Sequence, residues 1–383
     1  MLNGKSIIFS AVFVLFTAST ICAQTSNLTI KPYGYFKLDT AYDHARTNNG
    51  NYVFWVESSE DKDSEINMTA RQTRLGVNIN YDKLNNRTVS GRFEIDFYGG
   101  GAENKNMIMM RHGYLKVDFG KYYILAGQTS DVLSPLVPNT VNYTVLWNCG
   151  NIGYRRPQIQ FGNSVKNGVE IVGALSRNIA GSVEGEVNKV KVDKNDNDDG
   201  EDSSLPSVQA RISYINPRIN VGVSGHYGLM EYTRADLKED NYTSFSLNFH
   251  ASYAFTNAFL IKGEVFTGKT LNQYFGGIGQ GFDWVLEKEI ESSGGWLNAA
   301  LTASPNISCN LGIGIDQPEK DDTLDFPTRN YNRCVFGNIY TKIAYNTSFA
   351  LEISNWKTGY YNVDGDETST SNLRLHTAFI LNF

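Results

Sequence analysis

Beyond residue 23 the chain has no long apolar run, so no segment suits a membrane-spanning helix. Cysteine is almost as scarce: Cys22 lies near the start, and Cys149, Cys309 and Cys334 follow without C-x-x-C spacing. Those last three cannot all pair, so at most one disulfide and no structural metal are expected. Positive charge is in deficit, with 34 Lys and Arg against 40 Asp and Glu and a formal net charge of -6. A nucleic-acid partner is therefore not expected, because such proteins carry a basic footprint. The five histidines, His44, His112, His226, His250 and His376, fall in no H-E-x-x-H or serine-nucleophile motif. No cofactor is expected.

What the chain does have begins with a leader. Lys5, the apolar run Ile7 to Phe16 and Ile21-Cys22-Ala23 read as a secretory signal over residues 1–23, cleaved before Gln24. Ile21 is bulky where lipid attachment at Cys22 would need a small residue, which favours plain cleavage. The rest, 24–383, then forms one exported domain. Aromatics make up 13%, with 22 Tyr and 21 Phe, and 35 residues are Gly, yet the chain is polar on average. A membrane protein made of helices would not be this polar, whereas a barrel with a wet interior would.

Alternation of period two supports that reading. In the final segment Leu373, Leu375, Thr377, Phe379, Leu381 and Phe383 share one face, while Arg374, His376 and Asn382 share the other. Sixteen such segments are predicted, at about 31–43, 67–81, 88–98, 107–119, 121–128, 151–161, 168–177 and 207–215, then 218–228, 242–255, 258–267, 294–304, 306–316, 332–345, 348–360 and 372–383. Short links alternate with long ones, the asymmetry of outer-membrane barrels, and an even strand count puts both termini on the periplasmic side. The expected fold is all-β: a transmembrane antiparallel barrel of about sixteen strands around an aqueous lumen. Among the long links, the acidic stretch 193–202 lacks the spacing of a calcium loop and reads as solvated.

The chain resembles the DcaP-like family of Gram-negative outer-membrane porins. The resemblance rests on Gly34-Tyr-Phe-Lys-Leu-Asp-Thr-Ala-Tyr-Asp43, Arg71-Gln-Thr-Arg-Leu-Gly76, Gly91-Arg-Phe-Glu-Ile-Asp-Phe97, Arg111-His-Gly-Tyr-Leu-Lys116, Leu125-Ala-Gly-Gln128, Ser134-Pro-Leu136 and Gly153-Tyr-Arg-Arg-Pro-Gln158. It implies a homotrimeric diffusion channel in the lipids of the outer membrane, passing small hydrophilic solutes with a preference for anions. The last strand, ending at Phe383, resembles the signature read by the barrel-assembly machinery.

In a sixteen-stranded porin the third outer loop folds inward, which here is Thr129–Gly150 with Ser134, Pro135, Asn139 and Asn148. Strand parity sends Lys37, Arg74, Arg92, Lys116, Arg156, Arg211, Lys262, Lys342 and Arg374 to the lumen, with Asp39, Glu94, Asp96, Asp118, Glu264 and Glu352. Arginine and lysine rings favour anions. Arg74, Arg92 and Arg156 are the expected solute contacts; Lys116/Asp118 and Lys262/Glu264 are expected to pair across strands. Arg374 is expected to lie opposite Lys37 or Asp39. Arg71 and Arg111 have the other parity and are expected to face outward, either near the outer rim or, the reading favoured by trimeric porins, in a trimer contact.

Three rival readings come from other classes. Gly263-Glu-Val-Phe-Thr-Gly-Lys-Thr270 matches the phosphate-loop pattern, but alternation runs through it and glycines follow where a helix is required. The alternatives to a porin are a barrel enzyme of the protease or phospholipase type, or a receptor or adhesin barrel.

Overall fold

The structure, a computed structural model, describes residues 28–58, 63–84, 87–100, 105–163, 168–179, 203–233, 239–283, 286, 288–320, 328–361 and 365–383; the leader and the acidic stretch 193–202 lie outside them. Sixteen antiparallel staves follow one another around a closed barrel. They are β1 (Leu28–Asp43), β2 (Glu65–Thr69 continued by Arg74–Leu84), β3 (Arg87–Asp96), β4 (Met109–Asp118), β5 (Tyr122–Ser130), β6 (Arg155–Asn163), β7 (Val169–Ser176) and β8 (Ser207–Ile215). Then come β9 (Ile219–Thr233), β10 (Glu239–Ala254), β11 (Phe259–Lys269), β12 (Glu291–Ser304), β13 (Ile307–Pro318), β14 (Thr328–Ala344), β15 (Thr347–Tyr361) and β16 (Glu367–Asn382). Each pairs with the next, and β16 closes on β1 with Tyr35 opposite Asn382 and Asp43 opposite Arg374. Closure leaves no free sheet edge, as a wall in hydrocarbon requires.

The predicted staves correspond one to one with these. Several run further at their outer ends, β9 to Thr233 and β16 from Glu367, because the hydrogen-bond ladder continues where the apolar alternation has stopped. β2 is interrupted at 70–73, where the Thr73 amide donates to the Ala70 carbonyl in a turn, yet both halves pair with β1. Alternation sorts the faces: Leu373, Leu375, Phe379 and Leu381 are exposed on the outside, whereas Arg374 and His376 are buried within. The predicted phosphate-loop decoy, 263–270, runs through strand β11 up to Lys269.

The two ends of the barrel differ. At one, the links are as short as 119–121, 216–218, 255–258, 305–306 and 345–346. Aromatics gather there, including Phe119 against Tyr122, Phe255 against Tyr253 and Phe259, and Phe36 against Phe383, forming an interfacial girdle. At the other end the described parts of the long connections 44–64 (L1), 131–154 (L3) and 270–290 (L6) pack against inward-facing wall residues and against one another.

Candidate functional site: an inward loop facing an arginine wall

L3 leaves β5 and travels along the inner wall from β8 to β15. At its root Arg156 on β6 grips Asp131 at 2.7 Å, and Gln209 donates to the same carboxylate at 2.7 Å. Arg211 donates to the Val132 carbonyl at 2.7 Å and reaches Glu170 at 2.8 Å. Glu264 on β11 accepts both the Ser134 hydroxyl and, at 2.8 Å, the Leu136 amide. Lys262 donates to the Val137 carbonyl at 2.6 Å and to Asn139 at 2.9 Å. Neither member of the expected Lys262/Glu264 pair is spent on the other: both hold L3.

Further along, three wall asparagines carry the loop. The Asn139 amide donates to Asn298 at 3.1 Å, its side chain to Asn310 at 2.9 Å, and Asn338 donates to its carbonyl at 2.7 Å. Glu352 on β15 then accepts the Val141 amide at 2.7 Å, and Lys37 on β1 donates to the Val141 carbonyl at 3.0 Å while pairing with Asp39 at 2.9 Å. Loop backbone has no ladder of its own, so each buried amide and carbonyl needs such a partner. Pro135 is half-buried in this run. The return limb holds Val145, Leu146 and Asn148 at φ of 47, 63 and 58 degrees, a left-handed conformation unfavourable for these residues. Packing offsets it, for Leu146 is buried and Asn148 is bonded on both sides, to Phe275 and Asn332 at 2.7 Å each.

L1 and L6 lock onto L3. Asn142 and Thr144 bond the Val53 backbone at 3.2 and 2.8 Å, and the Gly153 amide donates to the Tyr274 carbonyl at 2.7 Å. Tyr52, Tyr98, Tyr143, Trp147, Tyr154 and Phe275 form one aromatic cluster, with Trp147 stacked on Phe275 at 4.7 Å. Burial pushes the Tyr52, Tyr98 and Tyr143 phenols above their ordinary value, so these three stay uncharged. Sequence reasoning missed these inward folds of L1 and L6, and the asparagine row with them. The inward parity of Asn298, Asn310 and Asn338 was a readable signal; the loops, having no period, carried only their unusual aromatic content.

The wall from β2 to β4 is different. Glu94 collects Arg92 at 2.5 Å, Arg111 at 2.8 Å and Arg74 at 3.4 Å, and Arg111 also meets Asp96 at 2.6 Å. Three guanidinium groups face two carboxylates, leaving one positive charge uncompensated. Arg92 and Arg74 keep 33% and 22% of their side chains exposed, so this charge faces open space. Nearby, Arg71 bonds the Phe97 carbonyl through Nε at 3.1 Å and lies over the Tyr98 ring, while its two terminal nitrogens have no hydrogen-bond partner.

Several expected placements are corrected by this geometry. Arg71 and Arg111 are buried inside the barrel, not outside in a trimer contact. A register shift after Glu94, with His112 opposite Glu94 but Met110 opposite Ile95, leaves Arg111 as the extra residue of a bulge and turns it inward. Arg71 is in the turn that interrupts β2, where strand parity lapses. Arg156, expected to meet the solute, is fully buried between Asp131, Gln273 and the Tyr274 ring. Arg374 pairs with Asp43 at 2.5 Å rather than facing Lys37 or Asp39; His376 is the residue at Asp39, 2.9 Å away. Lys342 is exposed near the short-turn end.

Comparison with known proteins agrees with this architecture. A family model described as DcaP outer membrane protein matches residues 5–254. No curated protein sequence matches the chain. Among solved structures, the outer membrane channel DcaP of Acinetobacter baumannii superposes with a TM-score of 0.76 at 16% identity, over 94% of this chain and 99% of that one. The trimer form of OmpT from Vibrio cholerae gives 0.57 at 12% identity, over 94% and 100%. Salmonella typhi OmpF, in complex with daunomycin, gives 0.59 at 10% identity, over 94% and 99%.

Proposed function

Since the chain belongs to the DcaP outer membrane protein family, we propose that its barrel is a passive outer-membrane channel for small hydrophilic solutes that favours anions such as small carboxylates. The observation that carries the anion preference is the surplus of guanidinium on the exposed β2–β4 wall, facing the loop that narrows the lumen. An anion passing this wall exchanges hydration for contacts with Arg74 and Arg92. Because Glu94 already shares those guanidiniums, binding stays weak enough for release, as conduction requires. We further propose that the channel works as a homotrimer, a reading supported by the trimer form of the Vibrio cholerae neighbour.

Planar-bilayer recording of the purified protein tests the reading. Steady conductance steps, with a reversal potential under a salt gradient that reports anion selectivity, are expected. Cation selectivity would overturn the charge argument, and absence of ion flux would overturn the channel itself. Light scattering of the detergent complex tests the trimer, which a monomeric mass would exclude.

A further inference from the structure

We propose that Cys149, at the end of the constriction loop, and Cys334, on the opposite wall, are joined by a disulfide when the protein has passed through an oxidising compartment. The functional consequence rests on the channel reading; the bond itself does not. L3 springs from β5 and β6, and β14 lies half the barrel circumference away. The Cys149 thiol nevertheless reaches β13 and β14, standing 3.6 Å from the Gly314 carbonyl and 3.7 Å from the Asn332 carbonyl. Gly314 is register-opposite Cys334. Directly opposed residues of an antiparallel pair have Cα atoms about 4.5–5.5 Å apart, so the Cys149 sulfur lies over the strand pair that carries Cys334.

Both side chains are buried and belong to one packed cluster with Leu146, Trp296, Phe336 and Trp356. A glycine at 314 makes the approach feasible: a Cβ there would stand 2.1 Å from the Cys149 carbonyl. The third thiol, Cys309, is register-opposite Leu301 and Ile339, which belong to the outer face, so it cannot compete. Among the described residues Cys149, Cys309 and Cys334 are free thiols.

The chemistry needs one co-reactant, a protein or small-molecule disulfide. One cysteine thiolate attacks that disulfide and displaces one of its sulfurs. The second cysteine, as thiolate, then attacks the protein sulfur of the mixed disulfide, breaks its S–S bond and releases the co-reactant's remaining sulfur. Two electrons pass from the cysteine sulfurs to the co-reactant, and the two cysteine protons end on its two sulfurs, leaving it as a dithiol or as two thiols. Burial pushes the Cys149 thiol up and keeps it inert once L3 is seated. The exchange therefore belongs to the period before the loop packs, or to excursions in which it lifts. Once closed, the bond holds the left-handed return limb at 145–148 and prevents L3 from leaving the far wall.

Differential alkylation decides the matter. Protein secreted through an oxidising compartment is denatured without reductant, treated with maleimide and mapped by mass spectrometry. Label at Cys309 but not at Cys149 or Cys334, with a cross-linked peptide pair carrying Cys149 and Cys334, is expected. Label at both Cys149 and Cys334 would overturn the bond, whatever the channel does. In bilayers, reductant should increase current fluctuation of the wild type and leave Cys149→Ser and Cys334→Ser, each already uncross-linked, unchanged. An equal response to reductant in wild type and both variants would overturn the fastening role. Because labelling needs no ion flux, failure of the bond is separable from failure of the channel reading.

Discussion

The two sides of the lumen are built from the same alternating strands but are occupied differently. From β11 to β15 the inward polar positions, chiefly amides and carboxylates with Lys262, are spent on L3: Glu264 on Leu136, Lys262 on Val137, Asn338 on Asn139, Glu352 on Val141. From β2 to β4 they are guanidinium groups in surplus, two of the three partly open, touched by the loop chiefly through Tyr143 and Arg111 at 3.2 Å. One wall anchors and the other faces the passage. A carboxylate in a porin interior is therefore not by that fact a cation contact. Glu264 and Glu352 are acceptors for loop amides, and their charge never reaches the open lumen.

If that division holds, the largest loss of stability follows Arg111→Ala. It deprives Glu94 and Asp96, both buried, of their closest shared cation and removes the bond to Tyr143. Breaking a buried ion pair costs about 3–5 kcal/mol, because the partner charge stays behind. Thermal unfolding in detergent should show this as a clear fall in midpoint, and Arg111→Lys should recover little, since one ammonium cannot serve two carboxylates in forked geometry. An unchanged midpoint would mean that the cluster is solvated rather than structural.

Glu264→Ala is the matching test of the anchoring wall. It strands the Leu136 amide, at roughly 1–3 kcal/mol for an unsatisfied buried group, and leaves the Ser134 hydroxyl only the longer bond to Asn151 at 3.4 Å. The loss falls on the loop more than on the barrel, so the readout is larger and noisier single-channel conductance at nearly unchanged barrel stability. Conductance equal to the wild type would place the narrowing elsewhere than in L3.

The contrast sharpens when two arginines are exchanged separately. Arg92→Gln removes an exposed charge beside Glu94 and should shift the reversal potential toward cations with little change in unfolding. Arg374→Gln removes a fully buried partner of Asp43 and should do the reverse. A selectivity change with Arg374→Gln would erase the distinction between buried and open charge.

How far the sequence anticipates this follows from where backbone is periodic. All sixteen staves were legible because a strand shows both faces within a few residues. The parity of Arg92, Glu94 and Arg374 came with them. Arg111 was not legible, because a one-residue bulge after Glu94 leaves no mark in composition yet reverses a side chain. The partner of Arg374 was missed for a related reason: alternation fixes facing, whereas closure of β16 on β1 fixes offset, and only the latter selects Asp43 over Asp39. The inward course of L1 and L6 depends on aromatic contacts between segments far apart in the chain, such as Phe54 with Phe275, which no local pattern encodes.

The smallest effect is expected at Lys342, exposed near the short-turn end of β14. Its charge can act on a passing solute only through water, at the mouth rather than at the narrowing. Such an interaction decays over a Debye length of ~10 Å at 0.1 M salt but ~3 Å at 1 M. Lys342→Gln should therefore reduce anion preference slightly in dilute salt and leave it unchanged in concentrated salt. Arg92→Gln, next to the narrowing and partly shielded from counter-ions, should keep more of its effect at both. Measuring reversal potentials of the two variants across that range separates a charge at the mouth from one at the constriction. Equal salt sensitivity would mean that the arginine wall is as open to counter-ions as the rim, and that L3 does not confine the solute against it.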